Sequence, residues 1–472
     1  MSSRPARQGS RGPLCVLKFG GTSVGDAKRI AWVARRSAAT SRARQTIVVV
    51  SAMAGTTNLL LNSARSAVGR DHSWREASRQ IRQRHIETAR ALLPPAEQSR
   101  FAQRLEKSVR VFEDICQGFG LVGEATPRGL DSIASLGELI SADLLASTLC
   151  ASGVPAVAID AARLILTDDR FGDATVFPEA TKARLRRTLF PLLKRGILPV
   201  VTGFRGATRS GIPTTLGRGS SDYTATLIGA LLRANEVTIW TDVDGVMTAD
   251  PRLVPGARVI PRLTYAEAVE LAFFGAKVIH WKAILPVMES GVPLRVRNSF
   301  RPSTSGTLIL PGASSRASVT AVTAVPRVHL VAVRADRALG PVELARRVLG
   351  WLEPTRAHPL LLLQSSAENS LALAITHEEM PVLANIEQQL SSRAQGHGLV
   401  LESSEEVGLV TAVGAQIRHA PGVTARIFAA LARRRINVLA VANGPSGHGV
   451  ALAVEPSALG RSVRAIHREF RL

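Results

Sequence analysis

The stretch Val16-Leu17-Lys18-Phe19-Gly20-Gly21-Thr22-Ser23-Val24 decides how this chain is read, because it closes an apolar run of strand length with a lysine, two glycines and two hydroxyls. A strand that delivers Gly-Gly to the N-terminus of a helix lets backbone N–H groups point at an anion, and the helix dipole adds to the attraction. Lys18 supplies a cation of the kind that spans a phosphoryl group in transfer. Alone, a lysine beside two glycines is more often a turn than a site. The chain carries neither a G-x-x-x-x-G-K-[ST] element nor the protein-kinase signature set, so a phosphate cradle here belongs to some other architecture.

Working outward, apolar runs of strand length recur at TIVVVSA, VPAVAIDA, ILPVVTGF, EVTIWTDV and VPLRVRNS, and helix-like segments such as Ser221 to Arg233 and Tyr265 to Phe274 separate several of them. Strands apolar on both faces, alternating with helices, predict an α/β fold: a mostly parallel sheet sandwiched by helices. Glycines and small polar residues gather just after the strands, where such sheets bind ligands. Residues 62–118 are highly charged with helical spacing and carry no motif, which predicts an inserted helical subdomain. His72 and His85 fall there and read as parts of a solvated helix face, since they lack the i, i+4 spacing of a metal pair.

A Gly/Ser/Pro cluster, RPSTSGTLILPGASSRAS, marks the end of the first domain near Ser318. Beyond it, ELARRVLGWL and ALAI answer VTARIFAALARRRI and ALAV. Ala345 and Ala425 differ by 80 positions, and Ala372 and Ala451 by 79, so two copies of a small α+β module are expected. The expected organisation is a flexible segment at 1–13, a first domain at 14–317 with its helical insertion, and a pair of modules over 318–472, their halves near 327–400 and 407–472.

With 472 residues and 46% apolar content, two or three domains are the expectation. Cys15, Cys116 and Cys150 share no metal-like spacing and are too few to staple a chain of this size, which fits a reducing, cytoplasmic setting. The Arg- and Ser-rich start MSSRPARQGSRGP has no apolar signal-like region, and no uninterrupted apolar stretch approaches the roughly 18 residues of a membrane span. The formal charge of +22 invites a nucleic-acid reading. Against it, the arginines are spread along the chain, aromatics are only 4%, and no stacking or zinc-finger signature occurs, so no nucleic-acid partner is expected.

Three further stretches make the opening one more than a turn. TTLGRGSSDYTA is a Gly/Ser loop opening a helix with Arg218 and Asp222 at its mouth, more than an N-cap needs. WTDVDGVMTADPR ends a strand in Asp242 and Asp244 with Arg252 beyond, and FFGAKVIH places Lys277 after another glycine. Two lysines, two Gly-rich loops and acidic residues suit a nucleotide, its metal and a small anionic acceptor.

The series KFGGTSV, VVSAMAGTTN, SLGELISA, DDRFG, TTLGRGSSDYTA, TDVDGVMTADPR and FGAKVIH resembles the aspartate kinases of the amino-acid kinase superfamily, in the right order from Leu14 onward. The tail resembles their tandem ACT domains, and the later motifs are most similar to the kinase half of bifunctional aspartokinase/homoserine dehydrogenases. The resemblance implies the amino-acid-kinase fold followed by two α+β ACT-like modules, ATP and Mg²⁺ as cofactors, and L-aspartate as acceptor, giving 4-phospho-L-aspartate for lysine, threonine or methionine synthesis. It implies that Lys18, Phe19, Gly20 and Gly21 form the ATP-phosphate loop and that Thr57 and Glu138 contact aspartate. Arg218, Gly219, Ser220 and Ser221 would hold its carboxylate with Asp222 at the reacting centre, while Thr241, Asp242, Arg252, Lys277 and Val278 would line the nucleotide. No protein side chains are expected to bind metal on their own.

Aspartate carries two carboxylates and an ammonium, so a selective site needs a cation such as Arg218 and an anion such as Glu138. Its β-carboxylate is ionised at neutral pH, so charge neutralisation and in-line positioning, rather than a strong base, carry the reaction. The resemblance places Gln364 at the strand edge that contacts effector in similar threonine-sensitive enzymes, with Asn443, 79 positions later, as its match in the second repeat; it implies threonine before lysine as effector, and the ACT-like modules are expected to pair chains into a homodimer or larger oligomer. Trp281, Met247 and Ser220 depart from the family's usual Pro, Tyr and Gly. Two other readings compete: a catalytically weak amino-acid sensor or scaffold of the same fold, and an RNA-associated basic protein.

Overall fold

The computed structural model describes residues 12–472 apart from 218, 277, 313–316, 336–338, 354–356, 380–383, 385, 387, 389–398 and 445. The chain forms two compact units: Met1–Val246 with Val278–Pro311, and Met247–Lys277 with Gly312–Leu472. The expected first domain, 14–317, is thus divided, because residues 247–277 group with the C-terminal part.

In the first unit β1 (Gly12–Phe19), β2 (Arg44–Val50), β3 (Ala156–Ile159), β4 (Leu198–Thr202) and β7 (Glu236–Thr241) are core strands, and β5 (Arg205–Ala207) with β6 (Pro213–Thr215) is a separate hairpin. The excursion into the second unit carries β8 (Arg262–Thr264) and α9 (Tyr265–Phe273); the chain then returns for β9 (Leu294–Asn298) and β10 (Thr307–Leu310). Within the first unit the sheet runs β3-β4-β2-β1-β7-β9-β10, parallel throughout except for the β9–β10 pair. The mostly parallel α/β architecture read from the apolar runs is what the chain adopts.

Alternation along β1 separates the two helical layers. Leu17 and Phe19 share a core with Val48 and Val50 of β2, Ile30 and Val33 of α1 (Ala27–Ala43), and Ile140 and Leu144 of α6 (Leu136–Ala151). Val16 faces the other side, where α8 (Ser220–Leu231) packs so closely that a Cβ on Gly229 would lie 2.3 Å from Val237 Cγ2. Truncating Phe19, fully buried at the centre of the sheet, to alanine would cost about 3–5 kcal/mol.

Residues 62–118 form most of α2 (Thr56–Ala67), α3 (Ser73–Leu92) and α4 (Pro95–Val122). Trp74, Ile81, Phe101, Leu105, Phe112 and Phe119 join the same cluster as Phe19 and Leu144, so these helices extend the sheet's core. The apolar stretch Pro127–Ala151 is long enough to cross a membrane, but 83% of its apolar window is buried, as befits a helix that is apolar all round. It breaks at Ser135 into α5 (Pro127–Ala134) and α6.

His85 corrects the expectation of a solvated face. It is fully buried, its Nδ1–H donates to Ile81 O at 2.8 Å, and burial pushes its pKa down to about 4. The charges of α3 that suggested solvation lie on its other faces.

The second unit holds β11 (Ala321–Ala335), β12 (Leu361–Ser365), β13 (Ser370–Thr376), β14 (Leu399–Val413), β15 (Ala440–Asn443) and β16 (Gly449–Val454), in the order β12-β13-β11-β14-β16-β15, all antiparallel. Each half of this order mirrors the other, which is the eighty-residue repeat in three dimensions. α11 (Pro341–Leu352) covers the first half through Leu344, Val348 and Leu352; α12 (Val423–Ala432) and α13 (Leu459–Glu469) cover the second through Ile427, Leu431, Val463 and Ile466.

The 247–277 segment is part of this second core. Ala249 packs with Val322 and Val450, and Thr248 Oγ1 lies 3.0 Å from His467 Nε2. Glu267 is fully buried: it closes a capping box with Thr264, and its other oxygen accepts from Thr320 Oγ1 at 2.6 Å and Ala415 N at 3.1 Å.

His85 sets a pH test of stability. Its folded pKa lies below the ordinary value near 6.5, so as pH falls the unfolded chain takes up a proton that the fold resists. Stability is full above pH 6.5 and declines towards pH 4, by on the order of 3 kcal/mol at most. Urea unfolding of His85→Leu between these limits should show a flatter pH dependence than the parent; an unchanged slope would refute the assignment.

Candidate active site

Lys18 lies at the end of β1, between Val49 of β2 and Ile239 of β7. Only 7% of it is exposed, and its ammonium is 2.5 Å from the Asp222 carboxylate in the first turn of α8. A buried ammonium needs such a partner, because an uncompensated charge in the interior is strongly unfavourable. Gly219, with φ +69, starts α8 and turns Asp222 towards β1.

After Phe19 the chain does not enter α1 directly. Gly21–Val24 forms a short 3-10 turn, and α1 starts at Ala27 with its N-terminus already capped by Asp26, whose carboxylate accepts from Arg29 N at 2.9 Å. The α1 terminus therefore carries its own carboxylate, and the N–H groups suited to an anion are those opening the turn. The turn is pressed against the loop after β2: a Cβ on Gly21 would stand 2.7 Å from Ala52 O. That approach, more than an unusual φ, demands glycine.

The same loop meets Glu138. Oε1 accepts from Ala52 N at 3.2 Å, Oε2 is buried with no hydrogen-bond partner, and the residue is 4% exposed. Burial pushes its pKa up to about 7, although the Ala52 hydrogen bond and the charges of Arg205 and Lys18 oppose this. A buried carboxylate oxygen without a donor is an acceptor available to a cationic ligand. Thr57 is half-buried in the first turn of α2, next to this loop.

The TTLGRGSSD loop is braced from several sides. Ser220 Oγ donates to Gly217 O at 2.5 Å, so the serine that replaces the family's usual glycine closes the turn itself. Gly203 leaves room for Ser221: a Cβ there would lie 2.5 Å from Ser221 Oγ. Asp131 accepts from Thr215 N at 2.8 Å, Thr215 Oγ1 at 2.7 Å and Gly172 N at 2.9 Å, tying this loop to the DDRFG stretch. Asp173, which closely approaches Gly217, is ion-paired with Lys282 at 2.7 Å. Trp281, beside Lys282, stacks on His280.

Thr241 ends β7, adjacent to β1, and the exposed Asp242 follows it. Asp244 is already engaged, accepting from Asn298 Nδ2 at 2.7 Å and pairing with Arg301 at 2.7 Å. Val278 is half-buried in the first unit. Arg252 belongs to the second unit, exposed and paired with Asp250 at 2.6 Å, and Met247 there bridges Val259. Arg218 and Lys277 lie outside the described residues. Gln364 and Asn443 occupy the two opposite edge strands, β12 and β15, in matching registers against Leu371 and Val450; Gln364 Nε2 donates to Pro341 O at 3.1 Å.

Three supports were not read from the sequence. Asp131 sits in an apolar helical stretch where one acid resembles a surface residue. Arg205, paired with Asp160 at 2.8 Å and bonded to Ser135, steadies the start of α6 that carries Glu138. Phe204 has φ +70, rare for a bulky residue, and joins β4 to the loop by accepting from Leu216 N and donating to Thr224 Oγ1, both at 3.1 Å.

The residues fit a nucleotide's phosphates through the glycine turn and Lys18. Among the described residues no group of three or more His, Cys, Asp or Glu is arranged for a metal.

The profile of the Amino acid kinase family matches residues 13–298, and that of the ACT domain matches 410–470. Aspartokinase 3, chloroplastic, of Arabidopsis thaliana is 33% identical over 471 residues, covering 97% of this chain and 81% of that protein. The bifunctional aspartokinase/homoserine dehydrogenase 2, chloroplastic, of Zea mays is 33% identical over 464 residues, 97% of this chain and 50% of the relative. The chain thus spans about half the length of its bifunctional relatives. Escherichia coli aspartokinase III in complex with aspartate and ADP superimposes with a TM-score of 0.84 at 30% identity, covering 97% of this chain and all of that one. The same enzyme with lysine and aspartate gives 0.76.

Gly21→Ala tests the close approach at the phosphate turn. Its methyl group must displace the Ala52 carbonyl, so the free energy of unfolding should fall by about 1–3 kcal/mol and nucleotide affinity should fall with it. Parent-like values for both in urea unfolding and ADP calorimetry would show that the turn yields freely.

Proposed function

The chain belongs to the amino acid kinase family and, within it, to the aspartokinases, and from that premise we propose that it transfers the γ-phosphoryl group of ATP to the β-carboxylate of L-aspartate. The observation that carries the reading is the buried Lys18–Asp222 pair at 2.5 Å beside the glycine turn. Lys18 stabilises the charge on the phosphoryl group in transfer, and Asp222 holds its ammonium in place. The acceptor is already an anion, so the enzyme's work is to hold two anions in line and neutralise them; Mg²⁺, when bound with the nucleotide, supplies part of that charge. Glu138 Oε2 receives the substrate ammonium, Thr57 flanks it, and Arg218 with Gly219, Ser220 and Ser221 takes a carboxylate. Phe19, Gly20 and Gly21 hold the phosphates, while Thr241, Asp242, Arg252, Lys277 and Val278 serve the nucleotide.

Regulation by an amino acid fits the second unit. Gln364 and Asn443 present amide groups at equivalent edge positions, and both edge strands offer pairing sites to a second copy, which supports a homodimer or larger assembly. Threonine remains the first candidate effector and lysine the second. Arg252, one of the nucleotide residues proposed above, lies in the stretch that groups with this second unit.

The direct test is ADP release with a panel of amino acids, where L-aspartate alone should sustain turnover and L-glutamate should not. Lys18→Ala should lower kcat by about 100-fold or more while the circular dichroism spectrum is kept; turnover above about a tenth of the parent would remove Lys18 from its role. A second test uses Glu138, whose pKa is raised to about 7. As pH falls through that value the carboxylate gains a proton and loses its attraction for the ammonium, so KM for aspartate should rise below about pH 7. Glu138→Gln should have a high KM without this pH dependence; a parent KM that is flat from about pH 8 to 6 would contradict the assignment.

A further inference from the structure

The final helical pair of the second unit concentrates positive charge in one place. Arg433, Arg434 and Arg435 follow α12, and Arg461, Arg464 and Arg468 lie on α13 at i, i+3 and i+7, which sets them on one face. Ser462, Val463 and Ile466 of the same helix point into the core. All six arginines are exposed and line a single open cavity of about 390 Å³.

Ordinary structural reasons account for only part of this cluster. The dipole of α12 favours cations at its C-terminus, which covers residues 433–435. Arg461 stands in the first turn of α13, where the dipole disfavours a cation. Glu469 pairs with Arg433, and with Arg426 outside the cavity at 3.0 Å, while Arg464 donates to Leu253 O at 3.3 Å. Arg434, Arg435, Arg461 and Arg468 have no carboxylate partner among the described residues. Four guanidiniums converging without counter-charge repel one another, and the repulsion is relieved when an anion binds among them.

The chemistry of the occupant follows from the lining. Guanidinium forks match phosphate oxygens two at a time, which a compact lysine ammonium does not. The cavity lies at the small end of the roughly 300–1,000 Å³ range of small-molecule sites. No aromatic side chain lines it to stack a base, as single-stranded nucleic acid would need. We propose that this cavity binds the phosphate chain of a small polyphosphorylated anion, at a site separate in sequence from the kinase motifs.

The test is calorimetric titration of the full chain with sodium tripolyphosphate, with ADP present in excess to occupy the nucleotide site. One tripolyphosphate per chain is expected, held more tightly than inorganic phosphate and weakened by salt. The combined substitution Arg434→Gln, Arg461→Gln and Arg468→Gln should weaken it by about tenfold or more. The same variant should melt, without ligand, no lower than the parent, since it loses repulsion rather than packing. Equal affinity in the variant, no saturable heat in the parent, or tighter binding of a 20-nucleotide single-stranded DNA than of tripolyphosphate would each overturn the proposal.

Discussion

The site at the head of the sheet depends on one constraint: the ammonium of Lys18 is buried and must be met by a carboxylate. Meeting it requires α8 to begin at the mouth of β1, which in turn requires the left-handed Gly219 ahead of it and close packing of Gly229 against Val237. A lysine left buried without Asp222 would carry an uncompensated charge, which is strongly unfavourable in the interior. The pair therefore fixes the relation between a strand and a helix more than 200 residues apart in sequence. The loops carrying the other polar groups are arranged around that relation.

Burial gives the site its electrostatic character. Lys18 and Glu138 are both nearly inaccessible, and each bears a charge whose interactions are stronger there than in water. The two are treated differently. Lys18 has an internal counter-ion, whereas Glu138 keeps one oxygen unpartnered and burial raises its pKa. That asymmetry leaves one buried group internally paired and the other with an open acceptor. Supporting residues brace these loops: Asp131 accepts from Thr215 and Gly172, and Arg205 ties Asp160 to the start of α6.

The second unit turns a sequence repeat into one continuous sheet. β11 and β14 pair along fifteen-residue strands, so each module completes the other's core and neither presents its central edge. The buried Glu267 then joins α9 to that sheet by accepting from Thr320 and Ala415, while satisfying its own helix N-terminus. A carboxylate with this many donors is a rigid fastening, and it lies in the stretch that begins just after the TDVDG motif.

Much was legible in the sequence because it depends on local rules. The apolar runs identified the parallel sheet, the Gly-Gly and Gly-Arg-Gly-Ser-Ser-Asp stretches identified the loops, and the eighty-residue spacing identified two modules. Long-range packing decided the rest. His85 looked solvated because its neighbours in sequence are charged, yet the packed helix turns it fully inward. The Gly-Gly stretch looked like the terminus of the following helix, but a 3-10 turn intervenes and Asp26 caps α1 itself. Nothing in SLGELISA discloses that Glu138 keeps one oxygen without a donor, and nothing in LDSIAS discloses the three donors on Asp131. The sequence by itself determined which residue types and turns were available. Tertiary structure decided which charges are buried and which are paired, because burial and pairing depend on groups that meet only when distant segments pack together.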